Sequence, residues 1–564
     1  MSYFHGTLFQ RLRYVAEHRS AETFCHFLMD DTVHEITFGE LISQAEAYSK
    51  YFIESGLGRS DIVFIVLRHR PDLLYAFIGA MLIGCIPSFL APIAEKQDPE
   101  TFWTTLHHLF GNVGASAAII EPDQFTEISR SLGASQIKLL LPIETSYTRR
   151  SSVEIAWSEP KPDDIAFLQF SSGTTGLRKG VMLTHRAVIE QVEIYRQAIG
   201  LGPCDRVASW LPLYHDMGLI ACFVLPLLTA TPIVMLDAFD WVYEPERLFA
   251  AISHYSATLI WLPNFAFNHL CATVAIDERY DLGSVRAFIN CSEPCKIESM
   301  RRFVEHFAPI NLRPEQLQTC YAMAEAVFAV TQSRLGLPPV NLSVDREIFE
   351  TKHRVVVADK DLSRATLELV SVGRLLPGFE LRIIGPDGRD LPAGYIGEIK
   401  IRGPSVFGGY YRAPQATAEA FADGWYLTGD LGFVHDNDVY VTGRSKDIII
   451  AYGRNYYAHD IEALVSGVEG IKAGRVVAFG VYNHVSGSED VVIVAEANDT
   501  ENKQRMISAV RSAVAGGLGL TISLVTLVSS RWLIKTTSGK LSRAQNREKY
   551  LQMTALAAKN LPQQ

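Results

Sequence analysis

Several features that would settle the class of this chain at once are missing from it. Its eight cysteines (Cys25, Cys85, Cys204, Cys222, Cys271, Cys291, Cys295, Cys320) never form a Cys-x-x-Cys pair. Cys291 and Cys295 are close, but no neighbouring Cys/His pair completes a zinc site. Free thiols and a cytoplasmic location are therefore expected. Positive charge is in deficit: the formal net charge of −10 argues against a nucleic-acid-binding surface. Arg11 and Arg13 have no apolar run behind them, so no signal peptide is expected and the Asn-x-Ser/Thr triplets at Asn290, Asn341 and Asn498 carry no meaning. No long apolar run is unbroken. Residues 73–92 are interrupted by Gly84 and Pro87, and 219–236 by Pro226 and Pro232, so each predicts a buried helix followed by a strand, with no membrane span. Repeats and low-complexity segments are absent. So is a Walker A loop, which needs Lys followed by Ser or Thr where this chain has Lys179 followed by Gly180.

What is present is 564 residues, more than one core usually holds, with the 48% hydrophobic and 20% charged content of an ordinary folded protein. A helix over 37–54 carries Leu41, Ala45 and Tyr48 at helical spacing. A strand at 62–67, a helix at 71–83, a strand at 85–90 and a helix at 102–109 follow, with short apolar runs at 117–120 and 137–141. Residues 145–164, polar and holding Pro160 and Pro162, read as a connector. Beyond it, strands at 207–211, 232–236, 258–262 and 287–290 alternate with helices at 215–228 and 245–253. Such alternation predicts an α/β fold with βαβ units and mostly parallel sheets, whose strand ends are where ligands bind. From residue 371 onward short runs separated by Gly and Asp predict a small antiparallel sheet or barrel. The region after Gly443-Arg-Ser-Lys-Asp447 reads as a separate, compact α+β domain.

The centre of the chain is Gln169-Phe-Ser-Ser-Gly-Thr-Thr-Gly-Leu-Arg-Lys-Gly180. An apolar run at 165–168 leads into it, and Thr184 after it is a candidate N-cap for a helix from His185. Two serines, two threonines and three glycines offer hydroxyls and uncrowded N–H groups, and Lys179 adds charge. That chemistry suits an oligophosphate, because glycine lets the backbone approach closely and oriented N–H groups form an anion nest. A flexible Ser/Gly-rich turn has the same composition, so the loop alone leaves both readings open.

Six further stretches accompany it: Leu211-Pro-Leu-Tyr-His-Asp-Met-Gly218, Asn290-Cys-Ser-Glu-Pro294, Tyr321-Ala-Met-Ala-Glu325, Tyr426-Leu-Thr-Gly-Asp430, Gly443-Arg-Ser-Lys-Asp447 and Lys535-Thr-Thr-Ser-Gly-Lys540. In this order and spacing the seven resemble the adenylate-forming acyl ligases, namely acyl-CoA synthetases, luciferases and peptide-synthetase adenylation domains. The resemblance implies an enzyme that couples a carboxylate to ATP, giving acyl-adenylate and pyrophosphate with Mg²⁺ as cofactor. It implies that Ser172, Thr174, Thr175 and Lys179 hold the β- and γ-phosphates, with Gly173 and Gly176 of the same loop. Glu325 would ligate Mg²⁺, Tyr321 would stack on adenine, and Asp430 would accept hydrogen bonds from the ribose, assisted by Arg444. Ser292, Glu293, Pro294, Ala322 and Met323 complete the implied nucleotide-binding set. Lys540 would bridge the carboxylate and the α-phosphate, Tyr214 and His215 would border the acyl pocket with His215 in a catalytic role, and Lys446 would be a hinge. The implied architecture is a large N-terminal part over 1–443, made of two α/β subdomains and a β-barrel-like subdomain at 373–443, followed by a mobile α+β lid over 447–564.

Within that family the stretch between Glu325 and Gly373 is long, and an insertion at about 326–372 resembles that of the fatty acyl-AMP ligases, where it restrains the lid and disfavours thioester formation with free CoA. Trp261-Leu-Pro-Asn-Phe-Ala266 and Ile450-Ala-Tyr-Gly-Arg-Asn-Tyr456 with Asp460-Ile-Glu462 fit the same branch. These ligases hand the acyl group to the phosphopantetheine arm of a carrier protein, which here would be a separate partner, in polyketide, peptide or lipid synthesis. The alternatives are an acyl-CoA synthetase and, less favoured, a catalytically silent nucleotide- or acyl-binding protein. Three positions depart from the family pattern: Ala322 and Cys291 stand where glycine is usual, and Ile534 where proline often stands. If the glycines are needed for positive φ or close approach, Ala322 and Cys291 narrow the adenine pocket.

Overall fold

A computed structural model describes residues 6–30, 32–93, 99–132, 137–143, 155–170, 179–358, 366–451, 454–483, 488–497, 502–522, 524–535 and 540–559. The loop residues Ser172, Gly173, Thr174, Thr175 and Gly176 lie outside the described residues.

The alternating pattern builds two sheets. Four parallel strands, in the order Ile86–Phe89, Ile62–Val66, Ala117–Ile120, Lys138–Leu140, form the first. Ile62, Val63, Phe64, Ile65 and Val66 are all buried, as expected of a strand covered on both faces. Nine strands form the second, in the order Arg374–Leu375, Ala329–Gln332, Leu317–Ala322, Ala287–Asn290, Leu259–Leu262, Val207–Ser209, Ile233–Met235, Thr23–Met29, Thr32–Thr37. Its inner strands pair in parallel, while hairpins close both ends. The end formed by Thr23–Met29 and Thr32–Thr37 was not legible in the sequence, since Thr32, Val33, His34 and Glu35 are exposed and show no apolar alternation.

Both interrupted apolar stretches divide as expected. The first gives the helix Asp72–Leu82 and the strand Ile86–Phe89. The second gives the π-helical segment Met217–Val224, the short helix Leu225–Thr229 and the strand Ile233–Met235. Among the described residues no helix is long and apolar enough to cross a membrane.

The strands Ile165–Phe170 and Gly180–Thr184 pair antiparallel, and Thr184 caps the helix His185–Ala198 by accepting from the Ala187 N–H. The strands Glu380–Ile384, Gly397–Arg402, Phe421–Ala422, Trp425–His435 and Asp438–Arg444 make a five-stranded antiparallel sheet. The smaller C-terminal domain has its own core, with Ile461, Val465, Ile493 and Val510 fully buried between the sheet Ile471–Asn483/Ser488–Ala497/Leu524–Val528 and its helices.

The strand Ala329–Gln332 belongs to the main sheet, and the stretch expected to be an added segment contributes, outside that sheet, the hairpin Asn341–Asp345/Thr366–Val370 with the helix Arg346–Lys352. Val344 and Phe349 pack with Ile396, Phe433 and Tyr440 and with Tyr457 of the C-terminal domain. Arg346 also donates to the Gly517 carbonyl at 2.9 Å. The added segment therefore grips the small domain by both an apolar and a polar contact.

Candidate active site

The strand ends of the main sheet and the tip of the small antiparallel sheet meet at one place. Tyr321, at the end of Leu317–Ala322, donates its hydroxyl to Asp430 Oδ2 at 2.5 Å, and Arg444 donates to Oδ1 at 3.0 Å. Arg444 is brought there by register, because Asp430 and Arg444 are paired residues on adjacent strands. The Asp430 charge raises the Arg444 pKa, so the guanidinium stays charged. Burial and the same carboxylate push the Tyr321 hydroxyl up, keeping it a donor.

Glu325 sits on a one-turn helix, Ala324–Ala326, that ends at Val327 with φ +66° and ψ −52°. Those are the dihedrals of a strained γ-turn, rare for a β-branched residue. The turn is held from outside: the Met323 N–H donates to the Phe328 carbonyl and the Phe407 N–H to the Glu325 carbonyl, each at 2.8 Å. Tyr410 donates its hydroxyl to Glu325 Oε1 at 3.0 Å, and its ring lies 4.9 Å below Lys179 Nζ. Tyr410 is aimed by a bridge to Val181 on the loop hairpin. One tyrosine thus links the phosphate-loop lysine to the carboxylate. Burial pushes the Glu325 carboxyl up, while Tyr410 and the Arg444 charge pull it down. A carboxylate held by one hydroxyl donor has the donor chemistry that fits a hard cation taking its remaining ligands from phosphate and water.

The smaller C-terminal domain contributes Lys540, whose Nζ donates to the Ser292 carbonyl at 2.6 Å. Its charge reaches Asp216, whose carboxyl is pushed up by burial and pulled down by the Met217 N–H and by Lys540. The loop bearing Lys540 is tied at its base by the buried Asn546: its Oδ1 accepts from the Ile534 N–H, and its amide donates to the Ile534 and Ser542 carbonyls, all at 2.8 Å. Proline at 534 has no N–H to give, so isoleucine here serves a bond that the family's usual residue cannot make.

The other two departures also find a local explanation. Neither Ala322 nor Cys291 has positive φ; Ser292 (φ +69°) and Val327 carry the left-handed dihedrals instead. Cys291 is fully buried with its Sγ 3.2 Å from Cys320 Sγ, so its side chain packs into the sheet. Glu293 accepts from the Phe265 N–H at 2.9 Å, capping the helix Asn264–Thr273, and Pro294 is exposed. Met323 is half-buried beside Tyr321 and Glu325. His215 opens the π-helical segment, its ring edge-on to Tyr214, and the Tyr214 carbonyl accepts from Gln169 at the foot of the Gly-rich loop. Lys446 lies in the exposed turn Ser445–Asp447 between the two domains.

The geometry joins Tyr321, Asp430 and Arg444 in one set of contacts, Lys179, Tyr410 and Glu325 in a second, and Lys540 and Ser292 in a third. Charge links Glu325 to Arg444 and Asp216, and Asp216 to Lys540. Comparison with known proteins gives the protein a family. The model for "AMP-binding enzyme" matches residues 12–411.

The chain belongs to the AMP-binding enzyme family.

This AMP-binding enzyme is 30% identical to the probable long-chain-fatty-acid–AMP ligase FadD30 of Mycobacterium tuberculosis, with 92% of this chain and 93% of that protein covered. It is 28% identical to the medium-chain-fatty-acid–[acyl-carrier-protein] ligase JamA of Moorena producens, over 97% and 96% of the two chains. Its fold matches a structure from a study of fatty acyl-adenylate ligases of E. coli and L. pneumophila with a TM-score of 0.90 and 27% identity, over 99% and 100% of the chains.

Tyr410, Asp216 and Asn546 were not legible as members of the site. The available signal for Tyr410 was Gly408-Gly409-Tyr410, where two glycines before an aromatic mark a close approach of backbone, but only the tertiary fold aims the ring.

Proposed function

We propose that this AMP-binding enzyme activates a fatty acid with ATP to acyl-AMP and pyrophosphate and then passes the acyl group to the phosphopantetheine thiol of a separate carrier protein. The observation that carries the reading is Lys540 of the small domain reaching across the domain boundary to the Ser292 carbonyl, in a chain that also pairs Asp430 with Arg444. Asp430 would hold the ribose, and Tyr321 would form the wall of the adenine pocket while orienting Asp430 through its hydroxyl. Lys179 and the Gly-rich loop would hold the β- and γ-phosphates. Glu325 would hold Mg²⁺, which when bound offsets phosphate charge. The substrate carboxylate attacks the α-phosphorus and the bond to the pyrophosphate oxygen breaks. Lys540 would neutralise both the incoming carboxylate and the α-phosphate oxygens with a positioned charge. His215 and Tyr214 would border the acyl chain.

The second half-reaction, thiol attack on the acyl carbonyl with departure of AMP, requires Lys540 to leave. A hinge at Lys446, separating residues 1–443 from 447–564, supplies the rotation. The grip of the added segment on Tyr457 and Gly517 supports a carrier protein over free CoA as acceptor, because it opposes free swinging of the lid.

The test is mass spectrometry of purified protein with ATP, Mg²⁺, saturated fatty acids from octanoate to hexadecanoate and excess CoA. Acyl-AMP without acyl-CoA is expected. Acyl-CoA as the main product moves the reading to a synthetase, and neither product overturns fatty-acid activation.

A further inference from the structure

The loop that accepts the hydrogen bond from Lys540 is held unusually firmly from below. Asn290, at the end of its strand, donates to Asn264 Oδ1 at 2.9 Å, and the Lys296 N–H donates to the same oxygen at 3.1 Å. Asn264 and Asn268 both donate to Ser299, and Glu293 caps the helix on which those two asparagines lie. Residues 290–296 are therefore a rigid ledge. The lid meets this ledge at a second point, where Lys296 Nζ lies 2.5 Å from Asp460 Oδ1. Asp460 is in the first turn of the lid helix Ala458–Ser466, a different lid element from the one bearing Lys540. His459 Nε2 is 3.5 Å from the same carboxylate, Arg346 of the added segment acts on it from farther away, and burial holds His459 neutral, so Lys296 is the close cation.

We propose that Lys296 and Asp460 form a positioning latch that fixes the lid in the orientation in which Lys540 faces the reacting groups. One lid contact on the ledge leaves the lid free to pivot about it, whereas two contacts from separate lid elements fix its rotation. The pair spans the boundary, and rotation about Lys446 must separate it, since Lys296 stays with the large domain and Asp460 moves. Both side chains are largely buried, at 35% and 24% exposed, so the attraction is less screened than in an open surface pair. This rests on the reading of Lys540 as the adenylation lysine. The latch touches no reacting atom and acts by raising the fraction of molecules in the adenylating orientation.

The test uses the full chain with Lys296→Met, Asp460→Asn and the exchanged pair Lys296→Asp with Asp460→Lys, measured by fatty-acid-dependent ATP–pyrophosphate exchange beside Lys540→Ala. Each single variant is expected to lose kcat about tenfold with the KM for ATP and the melting temperature held, and the exchanged pair to recover most of that loss. Singles within twofold of the parent, or an exchanged pair no better than the singles, overturn the latch. A loss of melting temperature in the singles that the exchange restores without restoring kcat also overturns it, by making the pair merely structural. Normal exchange in Lys540→Ala sinks the underlying reading instead, and a dead Lys540→Ala beside unaffected Lys296→Met sinks the latch alone.

Discussion

The large domain and the lid bring different kinds of residue to the site. On the large domain, Tyr321, Asp430 and Arg444 bond to one another, and Tyr410 bonds to Glu325. Those groups are oriented by bonds to one another without a nucleotide, and such preorganisation lowers the entropy cost of binding. The lid brings one cation, Lys540, on a loop braced by Asn546 and set against the ledge at Ser292. The difference accords with the proposed function, in which the large domain would hold the nucleotide and the small domain would supply a group needed in only one half-reaction.

The largest test of that division is Lys540→Ala. Loss of a fixed charge beside the reacting phosphate is expected to lower acyl-AMP formation about a thousandfold with an unchanged melting temperature, read by pyrophosphate exchange and calorimetry. Asp430→Asn attacks the opposite side. It removes the charged acceptor between Tyr321 and Arg444, and the KM for ATP is expected to rise about thirtyfold with a smaller change in kcat; a kcat effect larger than the KM effect would erase the distinction between the domains. Tyr410→Phe is milder, because Glu325 keeps its charge and loses one donor. The Mg²⁺ concentration for half-maximal rate is expected to rise about fivefold, and an unchanged Mg²⁺ titration would remove Tyr410 from the site.

A separate effect, on stability and not on catalysis, is shared by both domains. His185 of the large domain and His459 of the lid are each held neutral by burial, their pKa values brought down to about 4. Between that value and the ordinary 6.5 the unfolded chain binds the proton and the folded chain does not. Stability therefore rises with pH across this window and is lost as pH falls from 6.5 toward 4, by at most on the order of 3 kcal/mol per imidazole. Acid titrations of the melting temperature should flatten in part for His459→Gln and in part for His185→Gln. A curve unaltered by either substitution would contradict the assignment.

Much of this division was legible in the sequence. Hydrophobic alternation gave the parallel strands, because a strand buried on both faces, such as Ile62–Val66, is apolar throughout. Motif order grouped Glu325, Asp430, Arg444 and Lys540, and the structure pairs Asp430 with Arg444 and sets Lys540 against Ser292. The partners of those residues were not legible. Tyr410 and Glu325 are far apart in the chain and meet only because the loop hairpin bridges to the segment carrying Tyr410. The Lys296–Asp460 pair is hidden for the same reason, since its register depends on how one domain lies on the other. Ala322 and Cys291, which the sequence marks as obstacles, are ordinary, because the left-handed positions belong to Ser292 and Val327.

The division of labour is tested most directly by titrating ATP and Mg²⁺ into Lys540→Ala in a calorimeter. If recognition belongs to the large domain, the affinity stays within about twofold of the parent while acyl-AMP formation is lost. Affinity that falls together with the chemistry would mean that the lid helps to bind the nucleotide, and would contradict the account.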